Sequence, residues 1–415
     1  MPSFPLSGIF PQPRLVVGLS TVGAWRARGI FSPPKPAGGF RALSFELVDP
    51  KNRLNEDEAR VNLNIDRVRA RPLPLKDDHV TLAHGSGGKA SAALVEHVFM
   101  DAYGNDVLSQ AGDSGVVATA ELVQEHGTHL AMSTDSYVVN PIEFPGGNIG
   151  ELAINGTVND LAMAGAQPKF LTAGFVLEEG LAVSTLKTIV ASMREAADKA
   201  GVKIIAGDTK VVPRGAADKL FITTAGVGVV PSNRTVGAEQ VREGDVIILS
   251  GPIADHGMAV MMARGDLAIQ APIESDTQAV NGMVEALFTA APDTRWLRDA
   301  TRGGVATVCN ELARATAKAV VLQDEGIKVR ELTRAACDIL GIDPLYVANE
   351  GTFLAVVPAD QAQAALDALH TSGAPEATIC GRIDAQPAAS VVLVTGFGGT
   401  RMVDMLVGDP LPRIC

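Results

Sequence analysis

Cysteine is scarce in this chain. The four present in 415 residues, Cys309, Cys337, Cys380 and Cys415, form no CxxC pair and have no histidine cluster beside them. A disulfide framework or a structural zinc site needs closer, repeated spacing, so reduced thiols in a cytoplasmic protein are the expectation. Aromatic residues are only 4% of the chain, too few to stack the bases of single-stranded nucleic acid. Basic residues form no dense stripe and the formal charge is −12, which argues against a partner with a phosphate backbone. No apolar run approaches the ~18 residues that a membrane-spanning helix requires. What is present, 47% hydrophobic and 20% charged residues, is the balance of a globular protein. At this length two domains and an appendage are expected.

Residues 1–76 read as a poorly ordered N-terminal extension. They hold Pro33, Pro34, Pro36, Gly38 and Gly39, and the first acidic residue is Glu46. The apolar stretch Leu15 to Trp25 has the wrong flanks for a signal peptide: Arg26 and Arg28 follow it, with no small-x-small cleavage site. From His79 onward strand-like and helical patterns alternate. Helices are expected over Ala90–Tyr103 (apolar face Leu94, Val95, Val98, Phe99), Ser184–Ala200 (Ser184 as cap, Gly201 as stop) and Val305–Ala313. Strands are expected at 115–117, 130–132, 202–206, 220–230 and 246–249. A polar segment from Pro231 to Arg242 separates two units of similar size, 77–235 and 236–400. Residues 401–415 close the chain as a flexible tail without a helical or alternating pattern. This order of elements predicts an α+β domain pair.

Two kinds of motif carry chemistry. His84-Gly85-Ser86-Gly87-Gly88-Lys89 precedes a helix, where free backbone N–H groups suit an anion. It is not a P-loop, because Ala83 and Ala90 stand where that motif needs glycine and a hydroxyl; a Gly-rich turn capping the helix is the alternative. The second kind is a set of acidic residues beside Gly, Ser, Thr or Asn at the ends of apolar runs: Asp113, Asp135, Asp160 and Asp208. Each alone would pass for a cap or turn residue. Together, without histidine or cysteine company, they suit magnesium, which takes oxygen ligands and shares them with phosphates.

The segment TDSYVVNPIEFPGGNIGELAINGTVNDLAMAGAQP (Thr134 to Pro168) resembles the nucleotide-binding core of the aminoimidazole ribonucleotide synthetase (PurM-like) superfamily. GDTKVVPRGAADKLFITTAGVG (Gly207 to Gly228), DATRGGVATVCNELA (Asp299 to Ala313), ANEG (Ala348 to Gly351) and PRIC (Pro412 to Cys415) are similar to the HypE family of hydrogenase maturation factors within it. The resemblance covers about residues 80–415; Asn155 departs from it, standing where relatives often carry cysteine. It implies a two-domain PurM-like fold, with an N-terminal ATP-binding domain that dimerises and a C-terminal α/β sandwich domain. It also implies ATP and Mg2+ as cofactors. His84, Gly85, Ser86, Gly87, Gly88, Lys89, Asp135, Asn159 and Thr209 would bind ATP, and Asp113, Asp135, Asp160 and Asp208 the metal. The partners implied are a second copy in a homodimer, the carbamoyltransferase HypF and the HypC–HypD complex.

The implied reaction is an ATP-dependent dehydration of an S-carbamoyl group on Cys415 to a thiocyanate, the source of the cyanide ligand of the [NiFe] hydrogenase iron. A tail of ~15 residues reaches roughly 50 Å when extended, enough to visit two sites. Glu350 is taken as the base and Lys210 as a phosphate or carbamoyl contact; the exchanged assignment, or an ion pair between the two, is the alternative. Thr301-Arg302-Gly303-Gly304 either lines the reaction pocket or is a turn before the next helix. Two rival readings remain. One is another ATP-using enzyme of the superfamily, of selenophosphate synthetase or small-molecule kinase type. That reading meets no reactive cysteine in the Gly-rich loop and gives the tail no role. The other is a non-catalytic thiol carrier, which needs no carboxylate motifs.

Overall fold

The computed structural model describes residues 74–86, 89–110, 127–265, 271–406 and 413–415. The expected strand at 115–117, the extension up to residue 73, Gly87, Gly88 and Asp113 lie outside the described residues. Arg71–Cys415 packs as one unit. No helix in it is long and apolar enough to cross a membrane, among the described residues.

The first sheet holds β1 (Gly127–Tyr137), β4 (Gln167–Glu178), β5 (Lys203–Val212) and β6 (Leu220–Pro231) in the order β1-β6-β4-β5. A short hairpin, β2 (Glu143–Phe144) and β3 (Gly147–Asn148), leads into helix α2 (Ile149–Met163). Helical residues 89–103, beginning with α1 (Lys89–Leu94), bury Leu94, Val98 and Phe99; the fourth expected face residue, Val95, is exposed. Helix α3 (Val183–Ala200) makes the crossover that parallel pairing of β4 with β5 requires. Its Leu186, Ile189, Val190 and Met193 recur at helical spacing and are fully buried, each contributing about 1.5–3 kcal/mol. Gly201 ends it at φ 70° as expected, but Ser184 does not cap it. The cap position is Ala182, and the Val183 amide donates to the Asp78 carbonyl at 2.9 Å instead. Among the described residues only one face of this sheet is covered. Leu130, Met132 and Val176 project exposed from the other.

The second sheet runs β13-β12-β9-β11-β7-β10-β8. Its strands are β7 (Val246–Leu249), β8 (Trp296–Asp299), β9 (Ala319–Gln323), β10 (Phe353–Val357), β11 (Thr378–Asp384), β12 (Ser390–Val394) and β13 (Thr400–Val403). Phe353, Ala355 and Val357 pack on one side with helices α5 (Asn281–Ala290) and α7 (Ala362–Thr371). Leu354 and Val356 pack on the other with α6 (Gly304–Thr316). Burial on both faces explains the unbroken apolar run of β10. The edge strand β13 corrects the expectation of a tail without pattern from residue 401: Thr400–Val403 pairs with β12, too short a run for alternation to show. Arg413–Cys415 also has a defined place, described below.

Helix α2 joins the two sheets. Thirteen of its fifteen residues are buried, including the polar Asn155, Thr157 and Asn159. A helix with no solvent face carries polar groups only where they are hydrogen-bonded, so these positions mark a packed polar junction. Glycines let it approach its neighbours: a Cβ at Gly156 would stand 2.2 Å from the Tyr137 hydroxyl. Gly156→Ala is therefore expected to destabilise the fold by about 1–3 kcal/mol in urea denaturation. The loss should shrink in a Tyr137→Phe background; an equal loss in both backgrounds would show that the hydroxyl is not the obstacle.

Candidate active site

The covered face of β1, the end of α2, the end of β8 and the turn Ala348–Gly351 meet at one place. Alternation along β1 sends Ser133, Asp135 and Tyr137 toward it. The Ser133 hydroxyl donates to Asp160 at 2.5 Å. Asp299 ends β8, and Arg302 follows in the turn before α6.

Glu350 is 4% exposed and its backbone is tied on both sides. The amides of Glu350 and Gly351 each donate to one Asp276 carboxylate oxygen at 3.0 Å. Gly351 is required there, because a Cβ would meet the Asp276 carbonyl at 1.9 Å. Next to it Asn349 accepts from the Ala254 amide at 2.7 Å and donates to the Ala300 and Val347 carbonyls at 2.8 and 3.1 Å. Asn159 donates to the Gln278 and Glu350 carbonyls at 3.0 and 3.2 Å and accepts from Val280 at 2.8 Å. Its amide is thus committed to fixing the Glu350 turn from beneath, not open to a nucleotide as the sequence suggested.

Arg413–Cys415 lies along Val138–Asn140, with Val138 donating to the Cys415 carbonyl at 3.1 Å and Asn140 to the Arg413 carbonyl at 3.4 Å. Ile414 is buried in the core, and the Cys415 sulfur sits 3.9 Å from the Arg302 guanidinium. The other three cysteines are buried elsewhere, so Cys415 alone brings a thiol to the site among the described residues.

Burial, then the carboxylates of Asp299, Asp276, Asp135 and Asp160, push Glu350 well above the carboxylate range. Burial and then Asp160 raise Asp299 to about 7. Burial and Asp135 raise Asp160 against the opposing Ser133 hydrogen bond. Burial and then Glu350 raise the Cys415 thiol to about 11, partly offset by Arg302. The Tyr137 phenol is also driven up, by burial and by Asp135, Glu350 and Asp160, and stays neutral. The site is thus a pocket short of positive charge, holding protons that an arriving cation would displace.

Its oxygen donors suit magnesium shared with phosphates. Among the described residues no three His, Cys, Asp or Glu side chains close around an ion by themselves, and magnesium bound with phosphates needs only one or two carboxylates. Asp135 and Asp160 fit that requirement.

The remaining predicted residues gather elsewhere. Asp135 aligns through Thr224 and Ala173 with Gly207, three strands and roughly 14 Å across the sheet. Asp208 follows Gly207 and lies on Lys210 at 2.8 Å. Within the chain this pair is therefore remote from Asp160, and the weighed Lys210–Glu350 ion pair is not formed. Asp208, Thr209 and Lys210 line a cavity of about 320 Å³ with His84, Gly85 and Phe99. Ser86 donates to the Ala83 carbonyl at 2.9 Å and Lys89 opens α1. His84 is buried, its Nδ1 accepting from the Thr81 amide at 3.0 Å, so its ring is turned inward to a cap. Asp276 escaped notice because no motif marks it; Asp299 and Tyr137 stood inside the quoted segments Asp299 to Ala313 and Thr134 to Pro168 without a role, and only the fold brings them to Glu350. Arg302 stood in a motif that read equally well as a turn.

The pH dependence of stability follows from Asp299. Its folded pKa lies above the unfolded value, so from about pH 4 to pH 7 the folded state binds more protons and stability falls as pH rises, by up to roughly 4 kcal/mol. Asp299→Asn should flatten this fall and be the more stable form at pH 8 by urea denaturation. Parallel pH profiles for the two proteins would contradict the assignment.

Comparison with known proteins bears on the family and the fold. Residues 111–230 match the AIR synthase related protein N-terminal domain and 242–394 the corresponding C-terminal domain. The carbamoyl dehydratase HypE of Rhodobacter capsulatus is 48% identical over 346 residues, 83% of this chain and 100% of the relative. A crystal structure of hydrogenase maturation protein HypE in complex with ATP superposes with a TM-score of 0.75 at 42% identity, covering 81% of this chain and 99% of that one. A HypE–HypF complex matches with a TM-score of 0.65 at 42% identity, over 76% of this chain and 100% of that one. The two-domain α+β fold and this degree of identity make the chain an enzyme of the HypE carbamoyl dehydratase family of hydrogenase maturation factors.

Proposed function

We propose that the chain uses ATP to dehydrate a carbamoyl group carried on the Cys415 sulfur, giving a thiocyanate whose nitrile becomes the cyanide ligand of a [NiFe] hydrogenase iron. The observation that carries this reading is the Cys415 thiol facing Glu350 and Arg302 in a pocket of carboxylates. The relatives crystallised with ATP and with HypF support ATP as co-substrate and HypF as the donor of the carbamoyl group. HypC–HypD is the proposed acceptor, in the cytoplasm.

The chemistry balances as follows. The carbamoyl oxygen takes the γ-phosphoryl group of ATP, releasing ADP and one N–H proton. The C–O bond then breaks with phosphate as leaving group while the second N–H proton departs, leaving S–C≡N. An amide oxygen is a poor leaving group, and phosphorylation makes it a good one. The proton acceptor must sit at the nitrogen, where Glu350 in its carboxylate form is the base. Arg302 offers hydrogen bonds to the carbamoyl oxygen or phosphate. Magnesium held by Asp135 and Asp160 would neutralise phosphate charge when bound. A domain pair with 77–235 binding ATP and 236–400 completing the pocket fits this division of labour.

Lys210 faces the open side of the first sheet, away from Glu350, by the pairing of Lys210 with the exposed Val176. It can contact the phosphate or carbamoyl group if a second copy of the chain presents it. The uncovered apolar side chains Leu130, Met132 and Val176 support a homodimer through that face.

Intact-mass analysis after incubation with HypF, carbamoyl phosphate and ATP tests the reading. The chain should gain one carbamoyl group and then lose water, and Cys415→Ala should gain nothing. Carbamoyl that never loses water would instead support a thiol carrier. Glu350→Gln should accept the carbamoyl group but dehydrate it at least ~10²-fold more slowly; wild-type nitrile formation in that variant would remove Glu350 from the mechanism.

A further inference from the structure

His256, on helix α4 (Asp255–Arg264), is fully buried and has both ring nitrogens engaged. One, Nε2, lies 3.0 Å from the Ile414 carbonyl, and Nδ1 lies 2.8 Å from the Ser275 hydroxyl. A carbonyl oxygen only accepts, so Nε2 carries the proton and Nδ1 accepts from Ser275. The Ser275 oxygen in turn accepts from the Thr277 amide at 3.1 Å. A directed chain therefore runs from the Thr277 amide through Ser275 and His256 to the backbone next to the reactive cysteine.

The residue between Ser275 and Thr277 is Asp276, whose carboxylate holds the Glu350 and Gly351 amides. Two residues beyond Asp276, the Gln278 side chain donates to the Gly351 carbonyl at 3.2 Å. Segment 275–278 thus grips the Cys415 segment on one side and the Glu350 turn on the other. The remaining ties of Arg413–Cys415 do not share this link. The Arg264 guanidinium donates to the Arg413 carbonyl at 2.6 Å, and Arg413 donates to the Val138 carbonyl at 3.1 Å and pairs with Asp218 at 3.0 Å. Phe144 packs edge-on against the imidazole at 5.5 Å, fixing its plane.

We propose that His256 is a positioning residue: through Ser275 it joins the seat of the Cys415 thiol to the segment that seats Glu350, so that thiol and base are held in one frame. The role rests on the dehydratase reading, but the seating itself does not. The imidazole suits this task because burial holds its pKa down to about 4, leaving it neutral and in one tautomer at cellular pH. Loss of the Nε2 donor would leave the Ile414 carbonyl buried without a partner, which favours release of the segment.

The test separates the two levels. Alkylation of the whole protein with iodoacetamide reads Cys415, since Cys309, Cys337 and Cys380 are buried, and peptide mass spectrometry assigns the modified residue. His256→Leu should alkylate Cys415 about tenfold faster than the parent, as expected for losing one buried hydrogen bond. His256→Gln, whose amide N–H can replace the Nε2 donor, should return the rate toward the parent value. Circular dichroism melts of both variants establish that they fold. Parent-like alkylation in folded His256→Leu overturns the seating, whatever reaction the enzyme performs. With faster alkylation observed, carbamoylation by HypF should be undiminished in His256→Leu while dehydration slows, with the KM for ATP unchanged. Dehydration at the parent rate would overturn the coupling to Glu350 while leaving the dehydratase reading intact.

Discussion

Four carboxyl groups, Asp160, Asp276, Asp299 and Glu350, crowd one end of the junction between the two sheets, with the exposed Asp135 beside them, and burial leaves the four little water to screen one another. Such a cluster is costly to fold and retains protons that isolated carboxylates would lose at neutral pH. Asp276 accepts from two backbone amides, yet burial outweighs them and holds its carboxyl above the usual range. The others remain short of positive charge, and that deficit is what a metal–nucleotide complex would relieve. Burial and the neighbouring carboxylates favour the protonated form of Glu350, and cationic charge arriving with a co-substrate would lower its pKa and free the carboxylate that the proposed base role requires.

The scaffold around the cluster is built to withstand this repulsion. Helix α2 passes between the sheets with no solvent face, and its buried polar residues are all engaged: Asn155 with the Thr277 hydroxyl, Thr157 with the Thr224 hydroxyl and Asn159 with backbone. Asn159 holds the Glu350 and Gln278 carbonyls, and Asn349 holds three separate segments. Glycine at 156 and 351 admits contacts that any Cβ would block. Position at the site is therefore determined by buried side-chain amides bonded to backbone together with the Asp276 carboxylate, which accepts from the Glu350 and Gly351 amides.

Helices and strands with strong periodicity were legible from residues alone. The apolar face of α3 and the limits of β7 follow directly from spacing, because one buried stripe or a short apolar run dominates each. Caps and edges were not. Ser184 looked like a cap, yet an upstream carbonyl serves α3, and β13 was too short to show alternation. At the site, Asp135, Asp160, Glu350 and Cys415 were found through their motifs, and the fold brings them together. Asp208 and Lys210 were grouped with them on motif grounds, but strand register places them across the sheet on its open face. Asp276 and His256 carried no local signal, and Asp299 and Tyr137 stood in quoted segments without a role, since the partners of all four are distant in the chain.

The account stands on one event, formation of a carbon–nitrogen triple bond on the Cys415 sulfur. Infrared spectroscopy of the chain after carbamoylation with 13C-labelled carbamoyl phosphate reads it directly. Adding MgATP should produce an isotope-shifted nitrile band, absent with a non-hydrolysable ATP analogue and absent in Cys415→Ala. A nitrile band that appears without ATP, or that persists without Cys415, would contradict the account.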